Sequence, residues 1–291
     1  MSLILQTLAD GLVLGGIYAL AAVGFSLIFG VLHVINLSHG VLVLLGAYLA
    51  LILSEALNID PLLCIPPVMV ALFCIGYVYQ RLLIQHAVDR ASVNSMLLTF
   101  GVALMLQNVM IWLFSPDMKN ITPSYAFNSF KIGPVNFDAV RVSALIASLI
   151  LLSLLAAFLR YSPMGRVIRA TAQQTMAARL CGVNVRHVYA LTFAVSAAFA
   201  GAAGIVLGII LPFSPNDEGT WTLNAFVVVV LGGVGSPAGA LIGGLLLGIV
   251  STLTAQYIGA AFPNITMFLL LVLLLLVRPQ GLLGNAFAPS R

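Results

Sequence analysis

Residues 219–277 read GTWTLNAFVVVVLGGVGSPAGALIGGLLLGIVSTLTAQYIGAAFPNITMFLLLVLLLLV, 59 residues without one Asp, Glu, Lys or Arg. A hydrocarbon layer about 30 Å thick needs roughly 20 apolar residues per helix at 1.5 Å rise. The run therefore holds two or three crossings, divided where Gly and Pro cluster between 232 and 239. Met267 to Val277 is apolar on every side, which excludes the alternating strands of a porin-like barrel. Charge-free runs at 11–54, 61–80, 91–116, 142–159 and 187–216 extend the pattern toward the N-terminus, with 44, 20, 26, 18 and 30 residues. The first fits two crossings and each of the others fits one. The sequence thus predicts an all-α polytopic membrane helical bundle of eight or nine transmembrane segments with broken or re-entrant helices, as one domain over 1–291.

Composition agrees. With 62% apolar and 7% charged residues, there is too little polar side-chain surface to coat a water-soluble globule of this size. No basic stretch precedes the first apolar run, because the first Lys or Arg is Arg81. That first segment is expected to be retained rather than cleaved. Cys64, Cys74 and Cys181 show no metal-ligand spacing and read as small core hydrophobes. No catalytic, cofactor-binding or metal-binding residue set emerges. The net charge of +4 points to membrane orientation by its distribution, not to nucleic acid.

Crossings near 12–31, 40–54, 61–80, 93–114, 142–159 and 189–211 are expected, followed by a short leg at Thr222 to Leu231, a return from Gly239 to Ala255 and a last helix from Asn264 to Val277. One face then gathers Arg81, Arg90, Arg160, Arg166, Arg169, Arg179, Arg186, Arg278 and Arg291 against Asp89 alone. The other holds Asp10, Glu55, Asp60, Asp117, Asp138, Asp217 and Glu218 against Lys119, Lys131 and Arg141. By the positive-inside rule the basic face is cytoplasmic, with the N-terminus outside and the C-terminus inside. The longest external loop covers about 115–141, and includes the turn-rich stretch Thr122 to Pro134. The longest internal segment covers about 161–187.

Reaction chemistry finds little footing. No acidic residue is expected in a helix interior, and no His-Glu-x-x-His or paired intramembrane Asp occurs. A phosphate-binding Gly-x-x-x-x-Gly-Lys loop is absent, and the only lysines fall in the external loop. The chain reads as a non-enzymatic transport component, and any ATP-driven motor must be another chain. Gly165 to Leu180 is expected to form one helix of about four turns on the internal face. Arg166, Arg169 and Gln173 share one side of it, Ala177 and Ala178 follow, and Gly182 is placed as its C′ cap. Such a helix can receive a motor or rest on anionic headgroups.

Two charge-free interruptions are candidates for a translocation path: Asn36, Ser38, His39 and Gly40, and Gly232, Gly235 and Ser236 near Pro237. Broken helices free backbone polar groups that only protein or a polar cavity can satisfy. Tight turns at the membrane interface are the other reading of both, and His39 is equally a hydrogen-bonded helix-end residue. Gln107 and Asn108, midway along the fourth crossing, read either as path-lining or as interhelical hydrogen-bonding groups. Glycine pairs such as Gly11 and Gly15, Gly204 and Gly208, and Gly244 and Gly248 mark close-packed helix seams.

Four stretches carry a family resemblance: Arg169-Ala170 with Gln173, Ala177-Ala178 and Gly182-Val183-Asn184; Asn36-Leu37-Ser38-His39-Gly40 with Gly46-Ala47-Tyr48; Gly232-Gly233-Val234-Gly235-Ser236-Pro237 with Gly239; and Arg278-Pro279-Gln280-Gly281-Leu282. Together they resemble the LivH-type branched-chain amino acid ABC transporter permeases over residues 9–284. Leu37 and Ser38 depart from the family's Phe and Ala, which leaves selectivity open. The resemblance implies a permease subunit of a bacterial inner-membrane importer for branched-chain or other small amino acids. It implies pairing with a second homologous permease, docking of two cytoplasmic ABC ATPases that hold ATP-Mg, and delivery of substrate by a periplasmic binding protein. The competing class is an ion-coupled carrier or channel that needs no ATPase.

Overall fold

The computed structural model describes residues 2–88, 92–132, 135–278 and 280–283. Asp89, Arg90, Pro134, Pro279 and Arg291, all used in the sequence reading, lie outside the described residues. The elements run α1 (Ser2–Leu32), α2 (His39–Leu57), a 3-10 turn at Pro61–Cys64, α3 (Ile65–Tyr79), a π-helical turn at Gln80–Ile84, α4 (Gln85–Val88) and α5 (Ser92–Phe114). An antiparallel hairpin of β1 (Ser129–Ile132) and β2 (Val135–Asp138) follows, with Ser129 opposite Asp138 and Ile132 opposite Val135. Then come α6 (Ala139–Tyr161), α7 (Pro163–Gln173), α8 (Thr175–Leu180), α9 (Val185–Ile210), a 3-10 turn at Pro215–Asp217, α10 (Glu218–Gly232), α11 (Pro237–Tyr257) and α12 (Pro263–Val277).

Among the described residues, seven helices are long and apolar enough to cross a membrane: α1, α2, the α3 segment, α5, α6, α9 and α11. The remaining two expected segments, α10 and α12, have 15 residues each. At 1.5 Å per residue each covers about 22 Å, short of the roughly 30 Å core.

Helices α1 and α9 form the centre. Ile17, Leu20, Ala200 and Ala203 have no exposed surface, because small residues let neighbouring backbones close in where dispersion is the main gain. Helices α1 and α11 run antiparallel along the glycine seam the sequence marked. The Thr252 hydroxyl donates to Thr7 O at 3.3 Å, and the Gly235 N–H donates to Ser26 Oγ at 2.9 Å. Between those ends, Cβ atoms added at Gly15 and Gly244 would meet Leu245 Cα at 2.6 Å and Ala19 N at 2.5 Å.

The N-terminal end of α1 is polar and tied. Arg141 pairs with Asp10, and at 3.1 Å with Asp138, while Gln6 Nε2 donates to Asn136 O at 3.0 Å. Asp10 therefore lies inside α1, not ahead of the first crossing as expected. The helix begins at Ser2, and its 31 residues, about 46 Å, overrun the apolar layer.

Two further expectations change. Residues 212–219 read as an external loop, yet Phe213 is wholly buried, and Ser214 and Glu218 are 4% and 9% exposed. The chain turns back into the bundle there. Ser214 N–H and hydroxyl both donate to Asp217 Oδ2, at 2.8 and 3.0 Å, and this box closes the turn that launches α10. Gly165 to Leu180 is two helices, not one. Gln174 takes φ −152° and ψ 90°, and the Thr175 hydroxyl donates to Thr171 O at 3.0 Å, a side-chain bond that competes with the helical ladder.

Candidate functional site

The break after α1 is both polar and buried. Helix α1 continues to Leu32, but His39 Nε2 lies 2.7 Å from Ala21 O, eleven residues back from that end. The chain at 33–38 has climbed about 16 Å back along α1 before α2 starts. A carbonyl only accepts, so Nε2 carries the proton and Nδ1 is left without one. The imidazole meets Phe25 edge-on, ring centroids 5.4 Å apart.

Asn36 folds over the same turn. Its Oδ1 accepts from Ser38 N–H at 3.1 Å and Ser38 hydroxyl at 2.6 Å, so Tyr79 OH, 3.0 Å away, donates to Ser38 Oγ. Leu37 N–H donates to Thr99 Oγ1 at 3.1 Å, which ties the break to α5. Asn36, Ser38 and His39 are at most 1% exposed. These residues form a broken helix inside the bundle, not a turn at its surface.

Helix α10 meets this break from the other side. Gly40 N–H donates to Thr222 Oγ1 at 2.9 Å, and the Thr222 hydroxyl reaches Glu218 O at 3.0 Å and Leu37 O at 3.3 Å. The first turns of α2 and α10 thus pass one another at depth, pointing in opposite directions. A Cβ on Gly40 would strike Glu218 O, and would reach Thr222 N at 2.8 Å, so only glycine fits. Among the described residues, Asn36 Nδ2, His39 Nδ1 and both polar atoms of Gln80 meet no protein partner though buried. Gln80 opens the π-helical turn, a distortion frequent at functional sites.

The second interruption joins α10 to α11. Gly233 and Gly235 adopt φ +101° and +78°, and Ser236 Oγ accepts from Gly239 N–H at 3.0 Å to cap α11. The C-terminal motif packs here: Leu282 and Leu283 N–H donate to Leu231 and Gly232 O at 2.9 and 3.2 Å. Gly232, Gly235 and Ser236 are thus separate from the Asn36 cluster. Gln107 and Asn108 are also apart from it. Gln107 is half-buried, Asn108 is exposed, and Asn108 Nδ2 donates to Leu104 O of its own helix at 2.7 Å.

The segment α7–α8 is a docked element. Ser162 Oγ accepts from Gly165 N–H at 2.8 Å, and Arg169 donates to Leu159 O and, at 3.4 Å, to Arg160 O. Arg169 therefore caps the last carbonyls of α6. Arg166, Gln173 and Ala177 face outward, while Ala178 is 6% exposed. Gly182 has φ +82°; its N–H donates to Arg179 O and Val183 N–H to Ala178 O, both at 3.0 Å. That double bond pattern is the glycine C′ cap expected from the sequence.

Thr222, Tyr79, Thr99 and Gln80 were missed as site residues. Their only signal was a polar side chain inside an apolar run, and Thr222 begins the expected short leg.

Residues 7–278 match the family described as branched-chain amino acid transport system / permease component. The chain belongs to that family. The permease is 33% identical over 298 residues to the high-affinity branched-chain amino acid transport system permease protein LivH of Escherichia coli (strain K12), covering 97% of this chain and 96% of that one. It is 31% identical over 295 residues to BraD of Pseudomonas aeruginosa, with the same coverage. It is also 26% identical over 291 residues to LivM of Salmonella typhimurium, covering 92% of this permease and 68% of that protein.

Proposed function

We propose that this permease is the membrane-spanning subunit of an ATP-driven importer for branched-chain or other small amino acids in the inner membrane of a bacterium. It pairs with a second permease of the same family and docks cytoplasmic ATPases that hold ATP-Mg. A periplasmic binding protein delivers the solute. Helices α7 and α8 face the cytoplasm and the N-terminus lies outside, because arginines gather at the α7–α8 end. The observation that carries this reading is the tie of α7 to α6 through Arg169 and Ser162. A push on the outward-facing Arg166, Gln173 and Ala177 passes to a rigid helix instead of bending a loop.

The facing starts of α2 and α10 form the gate of the path, with Asn36, Ser38, His39 and Gly40 at its narrow point. Gln107 and Asn108 on α5 face the second permease, where a mid-helix polar pair finds partners that lipid lacks. Gly232, Gly235 and Ser236 act as the hinge on which α10 moves.

Replacing Gly182 by Val, or Ala177 by Trp, is expected to abolish substrate-stimulated ATP hydrolysis in the reconstituted complex while membrane insertion stays unchanged. Stimulation equal to the parent protein in both variants rules the docking assignment out.

A further inference from the structure

A cavity of about 460 Å³ opens on the outer side of the bundle between α3, α6 and α9, with almost wholly apolar walls that include Val70, Phe73, Leu151, Phe158, Val195 and Phe199. Each wall continues as a helical row toward the basic end of the bundle. On α3 the row runs Val70, Phe73, Tyr77, and Arg81 follows in the π-helical turn; on α6 it runs Leu151, Leu154, Phe158, Tyr161; on α9 it runs Phe199, Val195, Leu191, His187. At 1.5 Å per residue these rows span about 15–18 Å, against about 15 Å for one leaflet of a 30 Å core.

The rim at that end is polar, aromatic and cationic together. The Arg81 guanidinium lies 6.0 Å from the Tyr77 ring centroid, and that of Arg160 lies 5.5 Å from the Tyr161 ring. Tyr77 OH and His187 Nδ1 are 3.0 Å apart and join α3 to α9 at this end. Helices α3, α6 and α9 carry no Asp or Glu, and among the described residues neither arginine forms a salt bridge. Tyrosine rings at headgroup depth, each under a guanidinium, suit a phosphate whose tail turns inward.

We infer that this groove is the seat of one acyl chain of an anionic glycerophospholipid, whose phosphate rests between Arg81 and Arg160. The charge of the rim selects the headgroup, and the apolar slot accepts the chain. The inference needs only that the helices span a bilayer, and it is independent of which solute the permease carries.

The test uses the purified full-length protein in detergent with phosphatidylglycerol or phosphatidylcholine of matched chains, and counts retained lipid by native mass spectrometry. Phosphatidylglycerol is expected to stay bound where phosphatidylcholine is lost. R81Q/R160Q should weaken its retention about 30-fold, the change two membrane-surface arginines supply. Val70→Trp, at a position 65% exposed and so tolerant of bulk, should block the slot and lower retention with both arginines intact. Equal retention of the two lipids overturns the inference. So does retention unchanged in V70W, which leaves a headgroup contact without a chain seat. Efficient disulfide cross-linking of two copies carrying Val70→Cys in native membranes also overturns it, because protein then covers the groove.

Discussion

Gly40 and Gly182 both exclude a side chain, and the causes differ. At Gly40 the backbone of α10 occupies the space a Cβ needs. At Gly182 nothing lies within 4 Å of that position, and only the φ of +82° opposes substitution. Gly40→Ala is expected to destabilise the solubilised permease by about 1–3 kcal/mol, the usual cost of overpacking, and Gly182→Ala by about 1 kcal/mol. Thermal unfolding in detergent should rank them in that order, and a larger loss at Gly182 contradicts the geometry. Sequence could locate both glycines, Gly40 beside a polar break in an apolar run and Gly182 just past the end of an expected helix. It could not find Thr222 as the partner of Gly40, since 182 residues separate the two and no local pattern encodes that meeting.

Helix α10 is held at its first turn by one hydroxyl. Thr222→Val keeps the shape but strands the buried Gly40 N–H, which costs about 1–3 kcal/mol for an unmet donor. Thr222→Ser should restore most of it. Hydrogen exchange at the start of α2 reads this directly: faster exchange in the Val variant alone is expected, and identical exchange in all three proteins contradicts the contact. The element-level reading from sequence was good where apolar runs ended at charges, as for α3, α5, α6 and α9. It failed where a polar side chain redirected the backbone. Thr175 divides the expected Gly165 to Leu180 helix, and the Ser214–Asp217 box turns an expected loop inward.

At the scale of the whole molecule, the native cysteines can report the proposed sidedness. Cys181, at the end of α8, and Cys74, on α3, are exposed, against the expectation of core positions, and Cys64 alone of the three is buried. A membrane-impermeant maleimide should label Cys181 in inside-out vesicles and leave it unlabelled in right-side-out ones. The reverse result inverts the topology. Such sidedness was an expectation legible in arginine placement, which needs no tertiary contact. Depth was not, because the same apolar residues line a full crossing and a half-helix.

The opposed first turns of α2 and α10 carry an electrical consequence. Each helix start bears roughly half a positive elementary charge from its aligned peptide groups, and here two such starts lie together beside Asn36 and Gly40. Asp217 and Glu218, at the start of α10, oppose that field, so the meeting of the two starts leaves no bare positive pole.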